Sequence, residues 1–243
     1  MVNREQLFKN LRRQQRHYTA AKASLEAIAD KHFVAAVGPS AIGKSTIMNR
    51  VSIMDPDFKW VITRTSRPPR SNDTPEMYRY IITDDDFAKL EEDIAHGELL
   101  QYAIDPTRDV LYGSYPEDYP GVYNIGDVWA SAVSDFQNLG FKSMTTVYLV
   151  ADANDWATWF RSRFMPGDEV AIKRLTEAEQ SLEWAIGHHT EIKWLKNTAQ
   201  DIDETAARFI HVSQGGDGNA DGIKLAKQML DKIHQLKIKY SFT

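Results

Sequence analysis

The feature that most constrains this chain is a glycine-bounded loop that lies between an apolar run and a stretch favouring helix. Residues 38–46 read Gly-Pro-Ser-Ala-Ile-Gly-Lys-Ser-Thr and fit the pattern G-x-x-x-x-G-K-[ST]. The five residues before the loop, Phe33–Val37, are all apolar, as expected of a buried strand. Strand, loop and helix start in this order form the context that a phosphate-binding loop requires. The pattern therefore predicts a nucleoside-triphosphate site.

The residue types of the loop follow from the chemistry of phosphate binding. Gly38 and Gly43 let the backbone curl so that successive N–H groups point at phosphate oxygens. The helix N-terminus beneath the loop adds the positive end of its dipole. Lys44 can reach the β- and γ-phosphates, and the Ser45 hydroxyl can ligate Mg²⁺, which we expect as the cofactor of ATP. The predicted ATP-binding residues of the loop are Gly38, Ser40, Ala41, Ile42, Gly43, Lys44, Ser45 and Thr46.

Composition excludes several other classes of protein. The 243 residues include 29 Lys and Arg against 34 Asp and Glu, a net charge of −5, and 42% are hydrophobic. That balance is typical of a globular protein and excludes a disordered, collagenous or coiled-coil chain. Because phosphate-backbone affinity needs concentrated Lys and Arg, we expect no nucleic-acid partner. There is no cysteine, which excludes disulfide scaffolds, thiolate zinc sites and Cys nucleophiles.

The chain also lacks the sequence signals of membrane insertion or secretion. No run approaches the roughly 18 apolar residues that a membrane helix needs. The first 18 residues are charged and lack the apolar core of a secretory signal. We therefore expect a soluble, cytoplasmic protein with no membrane partner.

Apolar runs alternate with helical patterns along the chain, which predicts an α/β domain with a largely parallel sheet. Residues 1–31 read as one amphipathic helix with seven basic and three acidic residues, either packed on the domain or forming a basic arm. The other predicted strands are Trp60–Thr63, Tyr78–Thr83 and Thr146–Val150. The other predicted helices are those from Asp84 toward His96, Asp155–Phe164, Glu169–Ile186 and Ile223–Leu236.

Arginines form two clusters outside the loop. Arg64, Arg67 and Arg70 recur at every third residue in a proline-containing segment that is held extended. Guanidinium groups close together repel one another unless an anion lies between them, and a phosphate accepts their paired N–H donors; an exposed basic loop is the alternative. A second basic cluster, Arg161, Arg163, Lys173 and Arg174, follows later in the chain. Clamps for a donor and an acceptor phosphate are what phosphoryl transfer between two nucleotides requires.

These motifs, taken in order, resemble the guanylate kinase family over residues 33–210. The resembling segments are GPSAIGKST at 38–46, TRTSRPPR at 63–70, MYRY at 77–80, HGELLQYA at 96–103, YGS at 112–114, the segment from Arg161 to Ala185, and KNT at 196–198. The resemblance implies a phosphate-loop parallel-sheet core with helices on both faces, a small monophosphate-binding region at about 61–120 and a helical lid at about 156–185. It implies a domain over 32–211, with an N-terminal helical extension at 1–31 and a C-terminal loop and helix at 212–243. Those extensions would serve packing or homo-oligomerisation.

The resemblance also implies an activity and a set of site residues. The activity is transfer of the γ-phosphoryl group of ATP to GMP or dGMP, with Lys44, Arg163 and Arg174 in catalytic roles and Asn197 at the adenine. The implied acceptor-nucleotide residues are Thr63, Arg67, Arg70, Tyr78, Gln101, Tyr112, Ser114 and Asp127.

The chain departs from the family pattern at three positions. Gln101 stands where the family has a guanine-reading Glu, and an amide suits a base edge with one donor beside one acceptor, as in adenine or uracil. From the family's acidic D-x-D-x-x-G pattern, the chain retains Asp127 as the acidic residue. Trp159 occupies the position at which the family has its first lid arginine, and Arg161 can substitute for that arginine. Two alternatives therefore stay open: a kinase of the same scaffold that acts on another nucleotide or a ribose bisphosphate, and a non-catalytic guanylate-kinase-like binding module.

Overall fold

The computed structural model describes residues 4–71, 73–105, 109–166, 168–198 and 200–241. The chain divides into two compact units. The first comprises residues 1–32, 59–124 and 135–143, and the second comprises residues 33–58, 125–134 and 144–243. The first unit contains a four-stranded sheet and the second contains most of a five-stranded sheet.

The second unit contains most of a five-stranded parallel sheet. Its strands are β1 (His32–Val37), β2 (Phe58–Trp60), β7 (Tyr123–Asp127), β8 (Ser143–Val150) and β9 (Lys193–Lys196), in the order β2-β7-β1-β8-β9. The run from Phe33 to Val37 is fully buried, as its lack of polar residues predicts. The α/β class with a parallel-sheet core is confirmed.

Helices of the second unit connect and cover these strands. They are α3 (Lys44–Met54), α6 (Ala153–Arg163), α7 (Glu169–Gly187), α8 (Ile202–Ser213) and α9 (Gly222–Ser241), while the short α5 (Val133–Gln137) begins in this unit. Asp168 caps α7 and Asp201 caps α8 by accepting backbone N–H donors with their side chains. The long α9 packs against α7, where Glu179 pairs with His234 and Lys237. The predicted C-terminal helix is therefore present and begins one residue before its predicted start.

The first unit contains a four-stranded sheet in the order β4-β3-β6-β5. Its strands are β3 (Thr63–Thr65), β4 (Tyr78–Tyr80), β5 (Gln101–Ile104) and β6 (Leu111–Ser114). Strands β3 and β4 run parallel, and β6 runs antiparallel to both β3 and β5. The helix α4 (Asp84–His96) begins with a capping box between Thr83 and Asp86, which confirms the helix predicted from Asp84 toward His96.

One face of this small sheet carries the apolar core of the first unit. Tyr102, Ile104 and Leu111 lie buried against α4 and against the N-terminal helix α1 (Arg4–Gln14). The predicted packing of the N-terminal segment on its domain is thus present for α1. The prediction of one continuous helix over 1–31 is wrong: a 3₁₀ turn at Gln15–His17 and a separate helix α2 (Lys22–Glu26) follow.

The helix ends early because the residues after it bond to the segment around Gly97 instead of continuing the helix. The Tyr18 hydroxyl donates to Leu99 O at 2.6 Å, and the extended Ala21 donates its N–H to Gly97 O at 2.7 Å. A second correction concerns residues 60–63, which divide between β2 and β3 in two different sheets. Within the described ranges, no helix is long and apolar enough to span a bilayer.

Candidate functional site

The phosphate-binding loop joins β1 to α3 in the second unit, at the position that its sequence predicts. Gly38 and Gly43 have φ of +151° and +92°, in the region that favours glycine. A Cβ at Gly43 would lie 2.6 Å from Asn197 Nδ2, so the close approach of this amide also requires glycine. Among the described residues, Ala41 is the one non-glycine with positive φ, at +66°. The loop backbone is therefore held in an uncommon conformation of the kind found at ligand sites.

Lys44 opens α3 with its side chain folded back over the loop. Its Nζ donates to Gly38 O at 2.7 Å and lies 3.7 Å from an oxygen of Asp127. Asp127 ends β7, the neighbour of β1 in the sheet order. The structure thus places Asp127 beside Lys44 in the second unit, whereas the other residues predicted to bind the acceptor belong to the first unit. The acceptor role of Asp127 stays a prediction.

The oxygen atoms at this point suit a magnesium ion held together with a nucleotide. Mg²⁺ prefers hard oxygen ligands and usually takes one or two protein groups, phosphate oxygens and several waters. Ser45 offers an exposed hydroxyl in the first turn of α3, and Asp127 offers a partly exposed carboxylate. The described residues contain no cluster of three His, Asp or Glu side chains that could hold a metal without the nucleotide.

A cavity of about 360 Å³ adjoins the loop within the same unit. Its walls are formed by Ala41, Gly43, Thr46, Trp159, Arg163, Asn197, Thr198 and Ile202. Asn197 is 9% exposed and its Nδ2 donates to Ile42 O at 2.8 Å, so it belongs to the loop's own hydrogen-bond network. The structure therefore brings together the loop, Asn197 and Arg163, three parts that the sequence predicts to bind or act on ATP.

Two other arginines of this unit, Arg161 in α6 and Arg174 in α7, do not line the cavity beside the loop. Arg174 pairs with Glu177 one turn further along α7, and Arg161 donates its Nε to Ala157 O in α6. The catalytic role of Arg174 stays a prediction.

In the first unit, five residues predicted to bind the acceptor nucleotide share one face of the small sheet. Residues opposite one another in a register, and residues two apart in a strand, lie on the same face. The register pairs are Thr63 with Tyr78, Thr65 with Tyr112, and Gln101 with Ser114. This face, called the acceptor face below, is opposite the one that carries Tyr102 and Leu111 and packs on α4 and α1.

Three polar side chains at the acceptor face form a hydrogen-bonded chain. Gln101 Nε2 donates to Ser114 Oγ at 3.3 Å, and that hydroxyl lies 2.9 Å from the Tyr119 hydroxyl. Ser114 and Tyr119 are both 1% exposed, and complete burial raises the pKa of Tyr119 well above its usual value. The hydrogen bond to Ser114, which itself bonds to Tyr119, therefore fixes the orientation of the Gln101 amide. A fixed amide suits a group that recognises the edge of a base.

Arg67 is held more tightly than its predicted role as a phosphate clamp suggests. Its guanidinium binds both oxygens of Asp73 at 2.6 and 2.9 Å and lies over the Tyr78 ring, 4.4 Å from the centroid. Asp73 also accepts from the Tyr80 hydroxyl and from the N–H of Arg70. The hydrogen bond from Arg67, followed by those from Tyr80 and Arg70, lowers the pKa of Asp73 well below its usual range. Sequence reasoning missed Asp73, although an acid six residues after Arg67 in a turn is a signal for such a pair.

The other two arginines of the predicted clamp differ from Arg67 and from each other. Arg70 is exposed, and no carboxylate within the described residues pairs with its guanidinium. Arg64 is committed elsewhere: it lies on the face opposite the acceptor face, where it pairs with the buried Asp118 at 2.8 Å and with Glu117 at 2.9 Å. The expectation that all three arginines surround one anion is therefore wrong for Arg64.

Comparison with known proteins gives a consistent family. The chain is 33% identical over 187 residues to the guanylate kinase of Nostoc sp. (strain PCC 7120), a match that covers 74% of this chain and 87% of the relative. The match to the Streptomyces kasugaensis guanylate kinase is shorter: 33% identity over 66 residues, 27% of this chain and 31% of the length of that relative. No family model matches the chain.

Among solved structures, the guanylate kinase from Anaplasma phagocytophilum shares the fold. It superimposes with a TM-score of 0.50 at 14% identity and covers 82% of this chain and 89% of its own. The phosphate-binding loop, the acceptor face and the parallel sheet are thus found in a chain that matches a named relative over most of both lengths. This chain belongs to the guanylate kinase family.

Proposed function

We propose that this chain is an ATP-dependent nucleoside monophosphate kinase that transfers the γ-phosphoryl group of ATP to GMP or dGMP. The observation that carries the proposal is the acceptor face: Thr63, Tyr78, Gln101, Tyr112 and Ser114 are scattered along the chain and still share one side of one sheet. A binding surface for a second nucleotide distinguishes a nucleotide kinase from a simple ATPase. The named relatives are themselves guanylate kinases.

The donor nucleotide binds at the phosphate-binding loop in this proposal. Backbone N–H groups of the loop cradle the phosphates, and Lys44 follows the γ-phosphoryl group as its charge spreads. Its present bond to Gly38 O keeps the ammonium group over the loop before ATP arrives. Ser45 and Asp127 would hold Mg²⁺, which would neutralise part of the charge on the nucleotide phosphates.

The acceptor binds with its base and its phosphate at different parts of the acceptor face. The hydroxyl groups of Thr63 and Ser114 and the amide of Gln101 contact the base edge. The exposed guanidinium of Arg70 and the hydroxyls of Tyr78 and Tyr112 hold the phosphate. Arg67, fixed by Asp73, keeps the Tyr78 ring in place and offers the phosphate only those N–H groups that Asp73 leaves.

The chemical step is an in-line displacement. An oxygen of the acceptor phosphate attacks the γ-phosphorus of ATP, a new O–P bond forms, and the bond from the γ-phosphorus to the bridging oxygen of ADP breaks. No general base is needed because the attacking oxygen is already anionic. Lys44, Arg163 and Arg174 stabilise the charge on the transferring group, which requires the two bound phosphates to meet with water excluded.

Gln101 favours a second candidate acceptor. Its amide carries one acceptor beside one donor, whereas guanine presents two adjacent donors at N1 and N2. With one N–H of the amide on Ser114, the remaining N–H and the oxygen match a base edge that has one acceptor beside one donor, such as that of adenine or uracil. A kinase of the same scaffold that acts on AMP or UMP is therefore the alternative, together with one that acts on a ribose bisphosphate.

An acceptor panel tests the proposal. ADP formation is followed with Mg·ATP and each of GMP, dGMP, AMP, UMP, CMP and ribose 1,5-bisphosphate, and the phosphorylated product is identified by chromatography. We expect ADP and GDP, or ADP and dGDP, in equal amounts. ATPase at the same rate with and without every acceptor would refute a kinase of this scaffold, and turnover of another acceptor alone would replace GMP.

A non-catalytic binding module predicts a different result. Such a module uses the arginines to recognise a phosphorylated partner and needs no nucleotide. The intact glycines, lysine and serine of the loop, together with the built cavity beside it, support the enzyme. Calorimetric titration with Mg·ATP separates the two, because the module predicts no binding.

A further inference from the structure

The cavity beside the loop has one aromatic wall. Trp159 is half-buried in α6 and is the only ring among the described residues that line this cavity of about 360 Å³. Arg163 follows it by four residues and lies on the same side of the helix. A volume of this size is within the range of small-molecule pockets, which combine apolar or aromatic walls with a few polar groups.

One polar group at this cavity is the side chain of Asn197, beside Thr46, Arg163 and Thr198. Its Nδ2 is committed to Ile42 O, but its Oδ1 is buried and accepts no hydrogen bond from the residues that the structure describes. A buried acceptor without a donor is unfavourable, so such an atom needs an explanation. A ligand that brings an N–H donor into the cavity satisfies it.

Together these groups specify a planar ring with an amino substituent. A flat π-system can lie against the indole of Trp159, and an exocyclic amino group can donate to Asn197 Oδ1. The cavity shares Gly43 and Thr46 with the phosphate-binding loop, so the ring belongs to the molecule whose phosphates the loop holds. Adenine meets these conditions with its 6-amino group, whereas guanine presents a carbonyl oxygen at that position.

We propose that Trp159 stacks on the adenine ring of the donor nucleotide and thereby strengthens the binding of ATP. This inference rests on the proposed function for the ATP site itself, and its new element is the indole. Trp159 is a base-binding residue here: it contacts the base and no reacting atom, and since stacking tolerates any base, the match to the amino group belongs to Asn197. Stacking of a base on an aromatic side chain is worth about 1–3 kcal/mol, which corresponds to roughly 5- to 150-fold in affinity.

The test separates the base from the phosphates. Wild type, W159F and W159L are titrated with Mg·ATP and with Mg·tripolyphosphate, which lacks the base and sugar. W184F and W184L are the controls: Trp184 is also half-buried, lies in α7 and stacks on His188, 4.5 Å between ring centroids, away from the cavity. Thermal unfolding of each variant checks that it is folded.

We expect W159L to bind ATP at least about fivefold more weakly than wild type and tripolyphosphate equally well, with W159F close to wild type. ATP should also quench tryptophan emission in wild type and W184F, and much less in W159F. Because W159F keeps an aromatic ring, the emission measurement decides the question even if W159L fails to fold.

Two results would overturn the inference, and they differ from those that overturn the kinase. Equal ATP affinity in W159L and wild type, or an unchanged ATP-induced quench in W159F, would exclude the stacking role while leaving the ATP site intact. Wild type that binds neither ATP nor tripolyphosphate would remove the ATP site as well. If W159L loses ATP affinity but no acceptor is phosphorylated, the stacking role stands and the proposed function falls.

Discussion

The two proposed nucleotide-binding regions of this chain are built from different chemical groups. In the second unit, the donor region relies on the backbone: two glycines with positive φ, the start of α3, and a lysine lying over the loop. In the first unit, the acceptor face relies on side chains from four short strands and a buried arginine fixed by Asp73. A site made by the backbone is specified by residues that are adjacent in the sequence. A site made by side chains depends on strand register and on pairs between residues that are distant in the sequence.

This difference has an energetic consequence. Lys44 contacts carbonyl oxygens and a partly exposed carboxylate, so its removal takes little from the folded state. Arg67 is 4% exposed and paired with Asp73, so its removal leaves a largely buried carboxylate without its cation. The donor region should therefore separate function from stability, and the acceptor region should couple them.

The largest expected effect tests that separation. Lys44→Ala should lower kcat about 100- to 1000-fold, because the charge on the transferring phosphoryl group loses its ammonium partner. The midpoint of thermal unfolding should hardly change. Steady-state kinetics and calorimetry measure both, with Lys224→Ala, an exposed lysine of α9, as the control. Wild-type rates in Lys44→Ala would show that the loop is not the donor site.

The next effect tests the coupling in the acceptor region. Arg67→Ala should lower the free energy of unfolding by about 3 kcal/mol, because Asp73 is left unpaired, and should also raise the acceptor KM. Arg70→Ala should raise the acceptor KM with less than about 0.5 kcal/mol of destabilisation, since Arg70 is exposed.

Chemical denaturation of these variants and of Arg79→Ala provides the comparison. Arg79 is 47% exposed and lies 3.6 Å from Asp118, which Arg64 holds at a shorter distance, so the loss of Arg79 should cost less than about 1 kcal/mol. Equal stabilities for Arg67→Ala and Arg70→Ala would show that the pair with Asp73 is not a structural element.

A smaller effect concerns the base. Gln101→Glu should raise the ratio of kcat/KM for GMP over AMP by about tenfold, because a carboxylate accepts both N1–H and N2–H of guanine. Gln137→Glu, exposed in α5, adds the same charge elsewhere. An unchanged ratio in Gln101→Glu would mean that the amide does not contact the base.

The smallest expected effect is on acid stability. The folded-state pKa of Asp73 is below its unfolded value, so its stabilisation is present above pH about 4 and is lost as the pH falls toward the folded-state pKa. A single proton contributes at most about 1.4 kcal/mol per pH unit. Urea denaturation between pH 6 and 3 should show that the deficit of Asp73→Asn shrinks on acidification. A constant deficit would contradict the assigned pair.

Sequence reasoning succeeded where the chemistry is local. The loop at 38–46 was predicted in full because its motif specifies backbone shape within nine adjacent residues. The helix at Asp84–His96 was predicted because its cap and acidic first turn are adjacent in sequence. The helix over 1–31 was wrong because Tyr18 and Ala21 bond to residues near Gly97, a contact that periodicity does not report.

Sequence reasoning did not locate side chains whose positions depend on the pairing of strands that are distant in the sequence. Arg64 looked like part of one cluster because arginines recur every third residue, but a strand alternates its faces, and Asp118 holds Arg64 on the other side. The neighbour of Asp127 was not visible either: the sheet order brings the end of β7 beside β1 and so beside Lys44, while the acceptor role of Asp127 stays a prediction. Strand order is not visible in the sequence.

The central claim is that one chain binds two nucleotides with their phosphates end to end. The most direct measurement is a calorimetric titration with adenosine and guanosine joined 5′ to 5′ by five phosphates, applied to wild type, Lys44→Ala and Arg70→Ala. The account predicts one-to-one binding at least about 100-fold tighter than that of ATP or GMP alone, because linked groups bind as one molecule. Either substitution should weaken it. Binding no tighter than that of ATP, and unaffected by Arg70→Ala, would contradict the account.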